Sequence, residues 1–477
     1  MRVLDESKAY CRYFEDISRI PHGSKDEKAL SDWIVAFARA RGLSWYQDDW
    51  HNVIVYKPAA AGYEDHAPLM LQAHIDMVCE KNQDVVFNFE KDALKLKIED
   101  GFLKAEGTTL GADDGAGVAY MLAILDDAAA KHPALECVFT TQEEIGLYGA
   151  SGLDKSKLSA HRLINLDGGG EIQTLISAAG GLSCCLQAAP KLEKSEGNAY
   201  QISVSGCKGG HSGGEIDKER VNANKLLARI LHELMKSFDV QLASFSGGLK
   251  ENAIPREAQS VVFLNASLSA VEEKLKPLIQ ALKQENEAAD ADLMIAAQAI
   301  QAPLQSYTKA QTKNIIQMMF LMPNGMVHRN LDLDQLVDAS LNMGVVRIDE
   351  HQCSLEISLR SATDSMLDML GDQVRETAEI FGFTAAFSAR YPGWAFEKTS
   401  VLRDQLKTVF KNMYGKELKL EAVHGGCECG IFRAMYDDMD IVTVGPITND
   451  IHTPQEAMDL ASFDRTYDLL TAFLEAL

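Results

Sequence analysis

The chain has 477 residues, 46% of them hydrophobic and 24% charged, with a formal net charge of −23. That is ample length for a large buried core, about three domains at ~150 residues each. The acidic balance, with no run of five basic residues, argues against nucleic-acid or anionic-membrane partners, whose phosphates need clustered Lys and Arg.

Residues 4–18 have the spacing of an amphipathic helix that stops before Ile20-Pro21. Ser24 and Glu27 form a capping box for a second helix, whose apolar Leu30, Trp33, Ile34, Phe37 and Ala38 recur at helical intervals up to Gly42. Residues 53–56 read as a strand. Residues 68–73 are an apolar run too short for a helix, and His74 and Asp76 follow it. Residues 94–98, Asp100-Gly101 and 102–105 make a hairpin. Residues 110–117, Leu-Gly-Ala-Asp-Asp-Gly-Ala-Gly, form a loop that opens onto a helical run over 118–130. Residues 135–141 are a strand ending in Gln142-Glu143-Glu144, and 163–166 another ending in Asp167 and three glycines. Strands alternating with helices predict an α/β sheet, whose functional groups gather beyond the carboxyl ends of its strands. His74, Asp76, Glu143, Glu144 and Asp167 all stand at such ends.

From about residue 185 the pattern changes. Strands over 200–204 and 258–268 and helices over 222–238 and 271–288 are followed by a similar order. A helix starts at Thr308, strands cover 344–348 and 353–359, a helix covers 366–380, and a strand covers 384–389. This predicts an inserted α+β domain over 185–392 built from two related halves, with 1–184 and 393–477 forming the α/β domain around it. The last part holds a glycine-rich loop that starts at His424, then a strand over 441–444 followed by Gly445-Pro446 and the His452-Thr-Pro segment.

An Asp pair ahead of a helix is by itself an ordinary cap. The flanking His74, Asp76, Glu143, Glu144, Asp167 and His452 change that reading, making Asp113 the shared ligand of two metal ions. Two imidazoles with several carboxylates suit zinc, and also cobalt or manganese. Two divalent ions ~3.5–4 Å apart need an anionic bridge. Asp76 has the facing of His74 in extended chain and can reach its ring. Of Glu143 and Glu144, one can ligate while the other acts as general base. A buried carboxyl among carboxylates has a raised proton affinity, which suits that task.

This set resembles the M20 family of zinc metallopeptidases. Over essentially the whole chain the sequence is most similar to the aminoacyl-histidine (Xaa-His) dipeptidases within it. The resemblance implies that His74 and Asp167 bind one zinc, Glu144 and His452 the other, and Asp113 both. It implies that Glu143 is the general base, that Asp76 orients His74, and that the Asp113–Asp114 peptide is cis. Many relatives have Lys where Gly115 stands, which alters charge near the site and leaves the ligands untouched. It also implies an oxyanion-stabilising role for His211 and a substrate grip from Asn252 and Arg360, with His424 close to the substrate. An Arg fork suits a free C-terminal carboxylate. Taken singly, His211 and His424 are equally ordinary loop histidines and Arg360 a strand-end salt bridge.

The expected activity is hydrolysis of dipeptides, β-alanyl-histidine (carnosine) among them, under an inserted lid. The rival is an N-acyl amino acid deacylase or carboxypeptidase on the same scaffold. A scaffold without turnover needs a broken ligand set, and every position named is filled. Monomer and homodimer both stay open. The first residues lack the apolar core of a secretory signal, no apolar run reaches the ~18 residues of a membrane span, and nine cysteines without framework spacing read as reduced thiols. All three point to the cytoplasm.

Overall fold

Leu69–His74 is buried along its whole length. Its sequence, Leu-Met-Leu-Gln-Ala-His, lacks a polar face because parallel strands carry cover on both sides. In the computed structural model, which describes residues 2–301, 305–333 and 336–477, this strand lies inside a six-stranded sheet. The spatial order is Ser44–Gln47, Val53–Lys57, Leu135–Thr140, Leu69–His74, Arg162–Asn165, Asp440–Thr443. The last four run parallel, and the first two are antiparallel additions. All four parallel strands therefore end on one side, where the loops carrying the predicted groups emerge.

Helix Ala112–Asp126 is apolar on all sides and accordingly buried on all sides. Tyr120 stacks on Phe463 with ring centroids 4.9 Å apart, and its hydroxyl donates to the Phe463 carbonyl at 2.7 Å. That bond satisfies the one polar atom the ring brings into the core. The hairpin is present as Leu96–Glu99 and Phe102–Ala105, with Asp100 and Gly101 at positive φ in its turn. Among the described residues, no helix is long and apolar enough to cross a membrane.

The chain forms two compact units. One comprises Met1–Ser177, Phe396–Ala422 and Cys427–Leu477, the other Ala178–Ala395 and Val423–Gly426. The second thus opens at Ala178, seven residues before the expected 185, and takes the His424 segment as well. The early start has a local cause. Strand Gly180–Gln187 reads Gly-Gly-Leu-Ser-Cys-Cys-Leu-Gln, with no β-branched residue to announce it.

The second unit is an α+β domain of two related halves. One half runs Asn198–Ser205, helix Ala223–Met235, Val240–Gly247, Ala258–Leu264, helix Leu268–Asn286, Met294–Ala299. The other runs Gly180–Gln187, helix Lys309–Leu321, Val337–Ile348, Cys353–Ser361, helix Asp364–Ile380, Thr384–Tyr391. From either outer edge inward, the strand order within a half is fourth, first, third, second. The two second strands meet antiparallel, Phe245 opposite Ile348, and join the halves into one sheet. The first strand of the later half precedes the whole earlier half in the chain, a feature the repeating pattern alone does not reveal.

Candidate active site

Asp113 and Asp114 divide two jobs. Asp114 is the cap, its Oδ1 accepting from the Gly117 amide at 3.1 Å. A Cβ at Gly117 would lie 2.6 Å from that oxygen and 2.7 Å from Leu166 Cβ, so only glycine fits. Asp113, joined to Asp114 by a cis peptide, points elsewhere. Its Oδ1 is 3.0 Å from His74 Nε2 and its Oδ2 is 3.3 Å from His452 Nε2. His452 Nε2 is also 3.0 Å from Glu144 Oε2.

Among the described residues, three groups of side chains bring their ligand atoms within 4.8 Å of one another: His74, Asp113 and Asp167; Asp113, Glu144 and His452; and His74, Glu143 and Glu144. The first two share Asp113. The donor set fits divalent cations on a physical ground. His74 Nδ1 lies 2.9 Å from the Asp76 carbonyl, so Nδ1 carries the proton and donates it. The Nε2 lone pair of the neutral ring then faces a carboxylate oxygen, which repels unless a proton or a metal lies between. Glu144 Oε1 is buried with no hydrogen-bond partner among the described residues, a costly state for a carboxylate that a cation would relieve.

The electrostatics agree. Burial pulls the His74 imidazolium down, but the neighbouring Asp113 and Asp76 carboxylates outweigh it and hold its pKa above the usual value. Burial alone would raise Asp113, yet bonds from His452 and His74 hold it below the carboxylate range. Burial pushes Glu143 up to about 8, with Glu428 and Glu144 adding to the effect and His74 opposing it. Burial likewise raises Asp167, with Asp113 and Asp114 adding their charge.

Asp76 meets His74 chiefly through its main chain. The His74 ring bonds to its main-chain carbonyl, and the carboxylate Oδ1 stands 3.6 Å from Nδ1. The carboxylate instead accepts from the Glu143 amide at 3.0 Å, the Glu144 amide at 3.3 Å and the Ser24 hydroxyl at 2.7 Å. The expected capping box is absent for the same reason. The helix is Lys28–Ala40. Ser24 turns to Asp76, and Glu27 Oε1 accepts from the Lys25 and Gln142 amides at 2.9 and 3.1 Å. Asn52 Oδ1 takes the Thr141 amide at 3.0 Å. Four consecutive amides, 141 to 144, are thus held by side chains from three distant segments.

Two further buried carboxylates escaped sequence reasoning. Glu428 Oε2 accepts from Gln72 Nε2 at 2.6 Å and Thr140 Oγ1 at 2.9 Å beneath the site. Glu456 accepts from the amides of the Asp113 loop. The one available signal for Glu456 was its place four residues after His452.

The second unit gathers the other predicted residues. His211 pairs across from Ala253, and the Ser212 amide donates to the Asn252 carbonyl at 2.8 Å. His211 Nδ1 accepts from the Gly213 and Gly214 amides, both at 3.2 Å, which leaves the proton on Nε2. His424 Nε2 is 2.7 Å from Ser340 Oγ, and Ser340 lies opposite Arg360 in the sheet. Burial and then the Arg360 charge lower both histidines, His424 to about 3. Arg360 is only 8% exposed. It donates to Tyr391 Oη at 3.2 Å, its Nε has no partner, and no carboxylate pairs with it among the described residues. The alternative reading of Arg360, a strand-end salt bridge, therefore finds no carboxylate partner among the described residues.

Residues 70–476 match the model of the peptidase family M20/M25/M40. Over 97% of its length the chain is 34% identical to the cytosol non-specific dipeptidase of Escherichia coli K12, of which 96% is covered. Among solved structures it is similar to the aminoacylhistidine dipeptidase of Vibrio alginolyticus, at 33% identity and a TM-score of 0.94 over 100% of this chain and 97% of that one. Aminopeptidase PepT of Bacillus cereus, at 16% identity and a TM-score of 0.56 over 99% and 98% of the two chains, shares the fold. On a match that spans both ends of the first unit and the insertion between them, the chain belongs to the peptidase family M20/M25/M40.

Proposed function

We propose that this chain is a metal-dependent dipeptidase of the cytoplasm that prefers Xaa-His substrates such as β-alanyl-histidine and works with two zinc ions, cobalt or manganese substituting. The observation that carries the reading is the pair of imidazole nitrogens turned on the two oxygens of one carboxylate, His74 on Oδ1 and His452 on Oδ2 of Asp113. In this reading His74, Asp113 and Asp167 hold one ion, and Asp113, Glu144 and His452 the other. Ions held there supply Lewis acidity to a water and to the peptide carbonyl.

Glu143 accepts the proton of the attacking water and returns it to the leaving amine. A carboxyl pushed up to about 8 by burial has the proton affinity for both transfers near neutral pH. Asp76 fixes the backbone from which Glu143 and Glu144 project, and its carbonyl fixes the His74 tautomer. In the second unit, the lid of this reading, the unpaired face of Arg360 takes the substrate's terminal carboxylate. The Nε2–H of His211 donates to the developing oxyanion, and Asn252 and His424 complete the grip. The dipeptidase activity for which the Escherichia and Vibrio relatives are named supports the dipeptide class.

The test is a substrate panel run alongside metal analysis. Turnover of dipeptides, β-alanyl-histidine among the best, with two zinc ions per chain is the expected result. Preference for N-acetyl amino acids, or inertness of the zinc-loaded chain toward every dipeptide, overturns it.

A further inference from the structure

Glu456 is 3% exposed, and no cation pairs with it among the described residues. Four consecutive amides converge on its carboxylate. Oε2 accepts from Leu110 at 2.7 Å and Gly111 at 3.1 Å, and Oε1 from Ala112 at 2.8 Å and Asp113 at 3.4 Å. These amides enter helix Ala112–Asp126 and have no partners within it. Gly111, at φ +69°, lets the backbone curl so that all four face one point. Only an acceptor on both oxygens fits this cradle. An amide side chain would set an NH2 group against two N–H donors.

The same short segment carries His452. The Glu456 amide donates to the Thr453 carbonyl at 3.0 Å, and the Thr453 hydroxyl donates to the Asp450 carbonyl at 2.7 Å. His452 and Glu456 therefore project from one braced turn. One reaches an Asp113 oxygen, and the other holds the backbone of Asp113 and the three residues before it.

We propose that Glu456 is a positioning residue that sets the separation between Asp113 and His452, and with it the affinity for the ion shared by Asp113, Glu144 and His452. This rests on the two-ion reading above. Loss of the cradle frees both residues 110–113 and the turn that carries His452, which together supply two of the three groups of that ion; the other ion would keep His74 and Asp167 on segments Glu456 does not touch, so it is less affected. The metal site keeps every one of its own groups in such a variant, which separates the effect from ligand loss.

The experiment compares the full chain with Glu456→Gln and Glu456→Asp. Zinc is titrated against a chromophoric chelator, amide exchange of residues 110–113 is followed on the chelator-treated proteins, and steady-state kinetics are measured. For Glu456→Gln, exchange at 110–113 accelerates, one zinc dissociation constant of the two rises ten- to a hundred-fold, and kcat falls with KM near that of the unaltered chain. Glu456→Asp keeps two acceptor oxygens and recovers the greater part of the lost affinity. Zinc affinity of Glu456→Gln within twofold of the unaltered chain, despite faster exchange, makes Glu456 a plain helix cap and overturns the proposal. So does an Asp variant no better than the Gln one. Should Glu456→Gln fail to fold by circular dichroism, Glu456→Asp decides alone. A zinc affinity weakened several-fold, with faster exchange at 110–113, supports the proposal, and an affinity equal to that of the unaltered chain overturns it. Fewer than two zinc ions on the unaltered chain defeats the two-ion reading and the proposal with it. Two ions on that chain and no change in either variant defeat the proposal alone.

Discussion

The acidic cluster of the first unit and the basic cluster of the second are opposites in how their polar groups are settled. Around Asp113 the backbone is over-determined, with amides 110–113 gathered by Glu456 and amides 141–144 by Asn52, Glu27 and Asp76. The side chains so presented are carboxylates crowded against two imidazoles. Around Arg360 the backbone is ordinary sheet, and Arg360 Nε is a buried donor with no hydrogen-bond partner among the described residues. One region is built to attract cations in a fixed geometry, the other to attract an anion. On the function proposed above, rigidity is concentrated where metal geometry is demanding, and carboxylate recognition would lean on a single buried fork.

The comparison breaks most sharply at Glu143. Glu143→Ala should lower kcat by about 10²–10⁴-fold with both zinc ions retained, read from steady-state kinetics and metal analysis. Loss of zinc in that variant would move Glu143 from proton transfer to ligation. Next comes Arg360→Lys. Replacing the fork by a point charge should cost about 10- to 100-fold in kcat/KM on dipeptides, leave zinc content unchanged, and have little effect on a dipeptide amide. An equal loss on the amide would mean that Arg360 does not read the carboxylate.

The pH dependence of the metal-stripped chain sharpens the contrast further. Glu143 and Glu428, both pushed up to about 8 by burial, keep protons in the folded chain that the unfolded chain releases above about 4.5. His452, raised to about 10 by bonds to Asp113 and Glu144, does the same above about 6.5. Each contribution is present at low pH and lost as pH rises. The stripped chain should therefore melt at falling temperatures from pH 5 to 9 in calorimetric scans, and zinc should flatten the trend. A flat profile without zinc would show that the acidic cluster is not under strain. The smallest expected effect is that of Ser24→Ala. It removes one bond to Asp76, worth about 1 kcal/mol, and should lower kcat a few-fold without altering KM.

His74, Glu143, Glu144 and Asp167 were legible because each ends or follows a short apolar strand, and parallel strands deliver their ends to one side. The supporting groups were less legible for a physical reason. Ser24 and Glu27 have the spacing of a cap, and local pattern cannot tell a cap from two side chains that reach across to Asp76 and Gln142. Glu428 carries no spacing signal of its own, and only the fold brings Gln72 and Thr140 to it. The alternation that marks two related halves was visible in outline, but not strands Val240–Gly247 and Met294–Ala299, nor the interleaving, since the first strand of the later half has a composition that suits turns as well as sheet.

That interleaving constrains the order in which a nascent chain can mature. Gly180–Gln187 takes its place only between Cys353–Ser361 and Thr384–Tyr391, so a strand made early waits roughly two hundred residues for its neighbours. The six-stranded sheet waits longer still, for Asp440–Thr443. Non-local pairing of this kind slows folding and leaves open edges exposed meanwhile. On the ribosome, the inserted domain can close its sheet before the domain that surrounds it.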